Sequence, residues 1–174
     1  NNNHGTLVNG PTWTQGKVGG ALSFDGVNDY VRVKSTPFIT SGDSTWIVWV
    51  NVVNATQTDA NIFLSQARPY LTFDYSCPGK ASFNVPEADI CSNSSVSSNT
   101  WYFLTGVYRG NQQEIWINGI LDKIRAGSPI YMSYPVDIGR YSVGCCYTNG
   151  LIDEVRIYNR ALSDAEIQAI YNAT

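Results

Sequence analysis

The chain has 174 residues. At ~150 residues per domain this is about one domain, which leaves no room for a second catalytic one. Apolar residues make up 43% and charged residues only 14%, against a usual ~25%, which excludes intrinsic disorder and a long charged coiled coil. Eleven Lys and Arg against fourteen Asp and Glu give a net charge of −3, so there is no basic field for nucleic acid or an acidic membrane.

The N-terminal Asn1-Asn2-Asn3-His4-Gly5 reads as the inside of a loop. Residues 21–26 and 29–33 alternate apolar and polar around Gly26-Val27-Asn28, a short hairpin-like connection that sends Leu22, Phe24 and Tyr30, with Val31 or Val33, inward. Residues 45–53 (TWIVWVNVV) are apolar on both parities. That pattern marks a central strand covered on both faces, with Trp46, Val48 and Val50 on one and Ile47 and Trp49 on the other. Short strands follow at 62–66, 70–75 and 81–85, and residues 87–99 read as loop because they end in a Ser/Asn run. A strong hairpin joins 101–108 to 114–118 through Arg109-Gly110-Asn111. Asn118-Gly119 is a second two-residue turn of the kind that accepts positive φ, leading into a strand at 120. Residues 136–141 and 151–158 are two more strands. Only the tail reads as helix: Ser163-Asp164-Ala165-Glu166 is a capping box, and Ile167, Ile170 and Tyr171 share a face. Many short strands with one terminal helix indicate an all-β, two-sheet antiparallel sandwich.

Five Trp, eleven Tyr and six Phe stand among many Ser, Thr, Asn and Gly residues. This suits exposed sheet faces, and it suits sugar contact, since rings stack on pyranose faces and amides pair with hydroxyls. No run of ~18 apolar residues occurs, and no basic segment precedes an apolar stretch, so neither a spanning segment nor a leader is expected. The four cysteines, Cys77, Cys91, Cys145 and Cys146, have no zinc-site spacing and suit disulfides in an oxidising compartment. The first pairing is Cys77–Cys91, which leaves a vicinal Cys145–Cys146 bridge as a small rigid platform. A crossed pattern between the two segments is the alternative. Sequons at Asn54, Asn93 and Asn172 add support for an extracellular or cell-surface location.

Specific strings then carry a resemblance: Asn3-His4-Gly5-Thr6, Gly19-Gly20-Ala21-Leu22-Ser23-Phe24-Asp25-Gly26, Asp29-Tyr30-Val31, Trp101 with Gly106-Val107-Tyr108, Ile117-Asn118-Gly119, and Gly150-Leu151-Ile152-Asp153-Glu154-Val155-Arg156-Ile157-Tyr158 continuing to Ser163. In this order, over nearly the whole chain, they resemble the laminin-G-like, concanavalin A-like family. The resemblance implies one jelly-roll domain over 1–174 that lacks the N-terminal strand usual in relatives, so that a neighbouring chain supplies a strand or the chain is a trimmed form. It also implies a structural Ca²⁺ held by Asp153, the Gly20 carbonyl and Asn3. The competing use of Asp153 is to pair with an Arg or cap a turn.

Asp25 and Asp29 are expected to fix a turn. No E-x-D-x-x-E string sets two carboxylates ~5–5.5 Å apart as retaining glycosidases require; Glu87 and Asp89 fall in a loop, Glu114 stands alone, and His4 lies at the N-terminus. No catalytic residue is therefore assigned, and the chain is expected not to be an enzyme. Ligand-binding candidates are loop aromatics: Tyr141, Tyr147 and the Cys145-Cys146 pair around Gly144, and Tyr131 with Tyr134 in another loop. Trp13 either plugs the core edge or stacks on a sugar. The expected function is non-catalytic recognition of a glycan or glycoprotein, without nucleic acid or membrane insertion. The alternative is a structural or adhesive subunit of a filament or pilus that contacts copies of itself or belongs to a multidomain parent.

Overall fold

The computed structural model describes residues 4–33, 42–57, 61–66, 69–73, 77–85, 88–127, 135–142 and 144–174. Among them, fourteen strands form two seven-stranded antiparallel sheets in a jelly-roll sandwich. The front sheet runs, in spatial order, β1 (Gly5–Val8), β4 (Tyr30–Val33), β13 (Asp137–Ile138), β6 (Ile62–Ser65), β7 (Tyr70–Phe73), β8 (Lys80–Val85) and β9 (Ala88–Ser95). The back sheet runs β12 (Ile120–Ala126), β11 (Gln112–Ile117), β10 (Tyr102–Arg109), β5 (Ser44–Val52), β14 (Asn149–Tyr158), β3 (Gly20–Asp25) and β2 (Thr12–Gln15). A single helix, α1 (Asp164–Asn172), follows the last strand.

The two-faced pattern of β5 explains the layering. Trp46, Val48, Val50 and Val52 enter the core between the sheets with Phe24, Phe63, Phe73, Phe83 and Leu104. Ile47 and Trp49 point the other way, into a second cluster with Phe103, Val107, Trp116, Leu162 and Ile167. A nine-residue helix is not stable alone, so α1 depends on that docking. Trp49 stacks on Tyr171 at 5.8 Å, and its indole N–H donates to Thr174 Oγ1 at 2.9 Å. The capping box is complete: Glu166 accepts from the Ser163 backbone N–H, and Ser163 Oγ accepts from the Glu166 N–H. The Asn118-Gly119 turn has positive φ at both residues (52° and 74°), the twist a two-residue hairpin needs.

Three expectations are corrected. Gly26-Val27-Asn28 is not a hairpin turn, because β3 and β4 lie in opposite sheets; the connection arches across the sandwich. Alternation alone cannot separate an arch from a hairpin, since both keep one apolar face inward. Asp25 fixes the arch by accepting from the N–H groups of Val27 (2.8 Å) and Asn28 (3.2 Å), and Asp29 Oδ2 accepts from the Asp25 N–H. Residues 88–95, expected as loop, form β9: Ile90 is buried, Ser92 Oγ accepts from the Ala81 N–H, and Asp122 accepts from the N–H groups of Asn93 and Ser94. Pairing with β8 overrides the low strand preference of Ser and Asn. The strand expected at 136–141 shrinks to two residues, and the described residues of 139–148 form a loop. The short strands β1 and β2 carry no clean alternation in the sequence.

The cysteines pair as first expected, Cys77 with Cys91 across a Cα separation of 5.7 Å and Cys145 with Cys146. The crossed alternative is excluded.

Candidate functional site

The front sheet's outer face is polar, and its register builds one continuous row. Ile138, Leu64, Leu71, Phe83 and Ile90 face inward, so their strand neighbours face out. Cross-strand pairing then aligns Arg32, Asp137, Ser65, Tyr70, Asn84 and Asp89, one from each of six adjacent strands. Asp137, Ser65, Tyr70 and Asn84 are nevertheless buried. Asn84 Nδ2 donates to Ser82 Oγ at 3.2 Å, while its Oδ1 is buried with no hydrogen-bond partner.

The 139–148 loop lies against this row. Tyr141 packs edge-on against Tyr70 at 5.3 Å, and the Ser142 N–H donates to Ser65 Oγ at 3.3 Å. The loop is closed on itself by the Tyr141 N–H to Cys145 carbonyl bond and the Gly144 N–H to Tyr141 carbonyl bond, both 2.9 Å. Its base is fixed by Thr148, whose N–H donates to the Gly139 carbonyl and whose hydroxyl donates to the Ile62 carbonyl. Cys145 is exposed at the tip; Cys146, Tyr141 and Tyr147 are half-buried. The structure thus gathers Tyr141, Cys145, Cys146 and Tyr147 into one feature. Tyr131 and Tyr134 lie outside the described residues.

Beside the loop stands a set the sequence reading missed. Asp137, fully buried, accepts from Arg32 Nε and Nη2 and from Arg140 Nε, the latter two at 2.8 Å. The Arg140 guanidinium lies 3.5 Å from the Tyr30 ring centroid, and its Nη1 donates to the Tyr147 hydroxyl at 3.4 Å. The hydrogen bond to Asp137 raises the Arg32 pKa above its ordinary value. For Arg140, burial opposes the charge, yet the bonds to Asp137 and Tyr147 outweigh it and the pKa also rises. The only sequence signal was a charged residue within each of two apolar strands, and nothing local pairs positions 32 and 137.

Asp153 occupies a separate place. A β-bulge lies between Asp153 and Arg156, with Glu154 in the left-handed region at φ 49°. Ile152, Val155 and Ile157 therefore pack against the core, while Asp153 is directed away from it beside the 16–19 turn. Strict alternation along 151–158 would put Asp153 and Val155 on one face; the residue inserted at the bulge separates them. Asp153 is 6% exposed; its Oδ2 accepts from the Val18 N–H at 2.9 Å and its Oδ1 from the Glu154 N–H at 2.7 Å. Gly16 must be glycine here, since a Cβ would lie 2.5 Å from Oδ2 and 2.8 Å from the Ala21 nitrogen. Gly20 is exposed and opens β3, while Asn3 lies outside the described residues. Among the described residues no three His, Cys, Asp or Glu side chains gather as a metal cluster.

Glu114 is buried but committed: it accepts from the Trp116 indole N–H at 2.9 Å and pairs with Arg109 at 3.1 Å. Of the sequon residues, the Asn93 side-chain amide N–H donates to the Asp122 carbonyl, the Asn54 Oδ1 accepts from the Thr56 N–H and hydroxyl, and Asn172 is exposed at the end of α1. No helix among the described residues is long and apolar enough to cross a membrane.

Two antiparallel seven-stranded sheets with a loop-capped polar outer face define a lectin-type jelly roll. The chain belongs to the concanavalin A-like lectin/glucanases superfamily, whose laminin-G family model matches residues 25–168. Among solved structures, it is similar to domain 4 of AbnA, an extracellular arabinanase from Geobacillus stearothermophilus in complex with arabinotriose. The TM-score is 0.78 at 16% identity, covering 96% of this chain and 87% of that one. The binding domain of Paraclostridial Mosquitocidal Protein 1 aligns with TM-score 0.75 and 16% identity over 99% of this chain and 48% of that one. A heptameric SAP-like pentraxin from Limulus polyphemus aligns with TM-score 0.68 and 14% identity, covering 86% and 80%. At these identities the likeness concerns the fold. No curated protein matched the chain by sequence.

Proposed function

We propose that this chain is a non-catalytic, extracellular recognition module that binds glycan on the outer face of the front sheet, at the 139–148 loop. The observation that carries the reading is the disulfide-bearing 139–148 loop, which presents half-buried Tyr141 and Tyr147 beside Arg32 and Arg140 and is seated on the buried Ser65 and Tyr70 of the front sheet. Guanidinium and phenol groups match sugar hydroxyls, tyrosine rings match pyranose faces, and the loop is held by backbone bonds that limit the entropy lost on binding. The arabinotriose complex of the similar arabinanase domain supports a saccharide over other ligands. Glu114, the buried carboxylate of β11, is held by Trp116 and Arg109 in a structural role, which favours binding over turnover. A glycan array tests the reading. At least one glycan should bind, and Tyr147→Ala should weaken it about tenfold, the ~1.4 kcal/mol of one lost contact. Absence of binding at high protein concentration would remove it.

A calcium ion belongs to the same proposal. Asp153 is a buried carboxylate with no cation partner among the described residues, and its two oxygens keep lone pairs beyond the N–H bonds they accept. Oxygen donors are what calcium takes, so Asp153, the Gly20 carbonyl and Asn3 would hold it. Its role there would be to lock the 16–19 turn, and chelation should lower the melting temperature by several degrees.

Self-assembly into a filament is the second reading, favoured by the fully exposed edge strand β2. Polymers seen by light scattering, without glycan binding, would select it.

A further inference from the structure

The cluster around Asp137 holds more positive charge than its one carboxylate removes. Arg32 donates to Asp137 through Nε and Nη2, and Arg140 through Nε. Both guanidinium carbons lie over the same Tyr30 ring, at 5.6 Å and 3.5 Å from its centroid. The neighbouring strands bring no second carboxylate to this place. On the far side of β4, strand β1 (Gly-Thr-Leu-Val) has no charged side chain, and on the far side of β13 the residue opposite Asp137 is Ser65. Among the described residues, Asp137 is the one carboxylate whose charge acts on either guanidinium. Two cations against one anion leave a positive charge in excess.

That excess is presented to solvent. A guanidinium has more N–H donors than Asp137 uses here. Arg32 Nη1 and Arg140 Nη2 have no hydrogen-bond partner among the described residues, and neither is a buried orphan atom, so both reach water. Arg32 is the more open of the two, with its side chain 34% exposed against 12% for Arg140. Its terminal Nη1–Nη2 edge is a second fork, distinct from the Nε–Nη2 edge that grips Asp137. Asp137 and the Tyr30 ring already hold both groups, so little side-chain entropy remains to be lost when the fork is used. The site also touches the loop, because Arg140 Nη1 donates to the Tyr147 hydroxyl at 3.4 Å.

A neutral saccharide laid against these groups would displace their water without cancelling the excess charge, which is costly. A group that presents two oxygens on one edge and carries a negative charge matches the fork and cancels it, and such charge-assisted bonds are about twice as strong as neutral ones. We propose that the glycan bound beside the 139–148 loop is an acidic one, its carboxylate or sulfate seated on the free N–H groups of Arg32 and Arg140 and its sugar ring beside Tyr147. This names the ligand class of the glycan reading and rests on it. The net charge of the whole chain is −3, so a preference for acid has to come from this place and not from general attraction of polyanions.

The test is a glycan array that carries trigalacturonic acid, sialyllactose and a sulfated galactan tetrasaccharide beside their methyl-esterified or desulfated counterparts, followed by calorimetric titration of the strongest binder. The strongest binder should be acidic, and its neutralised counterpart should bind about tenfold more weakly or worse, the difference of one charge-assisted hydrogen bond. The gap should narrow as salt is raised. A carboxylated or a sulfated winner identifies which anion the fork takes. Arg32→Gln should erase most of the gap, and Arg32→Lys, which keeps the charge without the fork, should restore only part of it. A neutral glycan as strongest binder, or equal affinity for an acid and its neutralised counterpart, overturns the acid site while the glycan reading stands. Both comparisons use the unmodified chain and decide the matter whether or not the variants fold. An acid preference that persists in a cooperatively melting Arg32→Gln chain also overturns the site. An array on which neither acidic nor neutral glycans bind overturns the glycan reading itself.

Discussion

Removing the Asp137 carboxylate probes the best-defined electrostatic feature of the molecule. In Asp137→Ala, two guanidinium groups lose a shared, fully buried counter-charge. Breaking a buried pair from one side typically costs ~3–5 kcal/mol, because the remaining charge is left uncompensated. Two features reduce that here. The Arg32 side chain is 34% exposed and rehydrates, which discounts its share. Arg140 is only 12% exposed but keeps its stack on Tyr30, a contact of ~0.5–2 kcal/mol. The expected loss is about 2–4 kcal/mol, or roughly 5–15 °C in melting temperature for a domain of this size. Urea denaturation should show a lower midpoint with unchanged slope. Replacing all three charged groups together with apolar residues of similar volume should recover much of the loss, since the desolvation penalty disappears with the pair. A single-variant loss below about 1 kcal/mol would refute the reasoning, because it would mean that water already screens the trio.

Three further outcomes follow from the packing and the charges. Ile167→Ala, at a fully buried position under α1, should cost about 2–5 kcal/mol and expose the helix amides to hydrogen exchange; a change under 1 kcal/mol would mean that the helix is not docked as described. Gly16→Ala forces a methyl against Asp153 Oδ2 and the Ala21 backbone and should destabilise by about 1–3 kcal/mol in urea titration, with a neutral result removing the close approach. Acid should loosen the helix start: the Arg160 hydrogen bond, then the Ser163 N–H and hydroxyl, hold Glu166 at a pKa of about 2, below its ordinary 4.5. A depressed folded pKa stabilises above the unfolded value, and that contribution is lost as pH falls from about 4.5 through about 2. Asp25 acts in the same direction, with the Val27 N–H as the largest cause, whereas burial raises Asp29, whose contribution is therefore lost as pH rises through its folded pKa. Carboxyl chemical shifts followed by NMR across this range check all three signs.

The parts legible in the sequence were those set by local pattern. β5 announced a strand buried on both faces because Trp46 and Ile47 are both large and apolar, and the structure places them in two different clusters. The capping box announced α1, and Asn118-Gly119 its turn, because each is a complete local device. What escaped depended on partners far along the chain. Strand β9 exists because Cys77, Ala81 and Asp122 receive it, although its own residues favour loop. The faces of β14 depended on a bulge at Glu154, which no alternation records. The candidate site was half visible. Tyr141, Cys145, Cys146 and Tyr147 are neighbours in sequence, and Arg140 lies near them, but Arg32 and Tyr30 reach Asp137 and Arg140 only through the front-sheet register.

A nitrogen-15 NMR titration with the strongest glycan from the array, or with arabinotriose if several bind equally, tests glycan recognition at the front sheet most directly. The account predicts shift changes concentrated in residues 139–148 and around Arg32, with α1 and the back sheet unmoved. Saturating changes confined to the helix side of the back sheet, or no change at all, would contradict it.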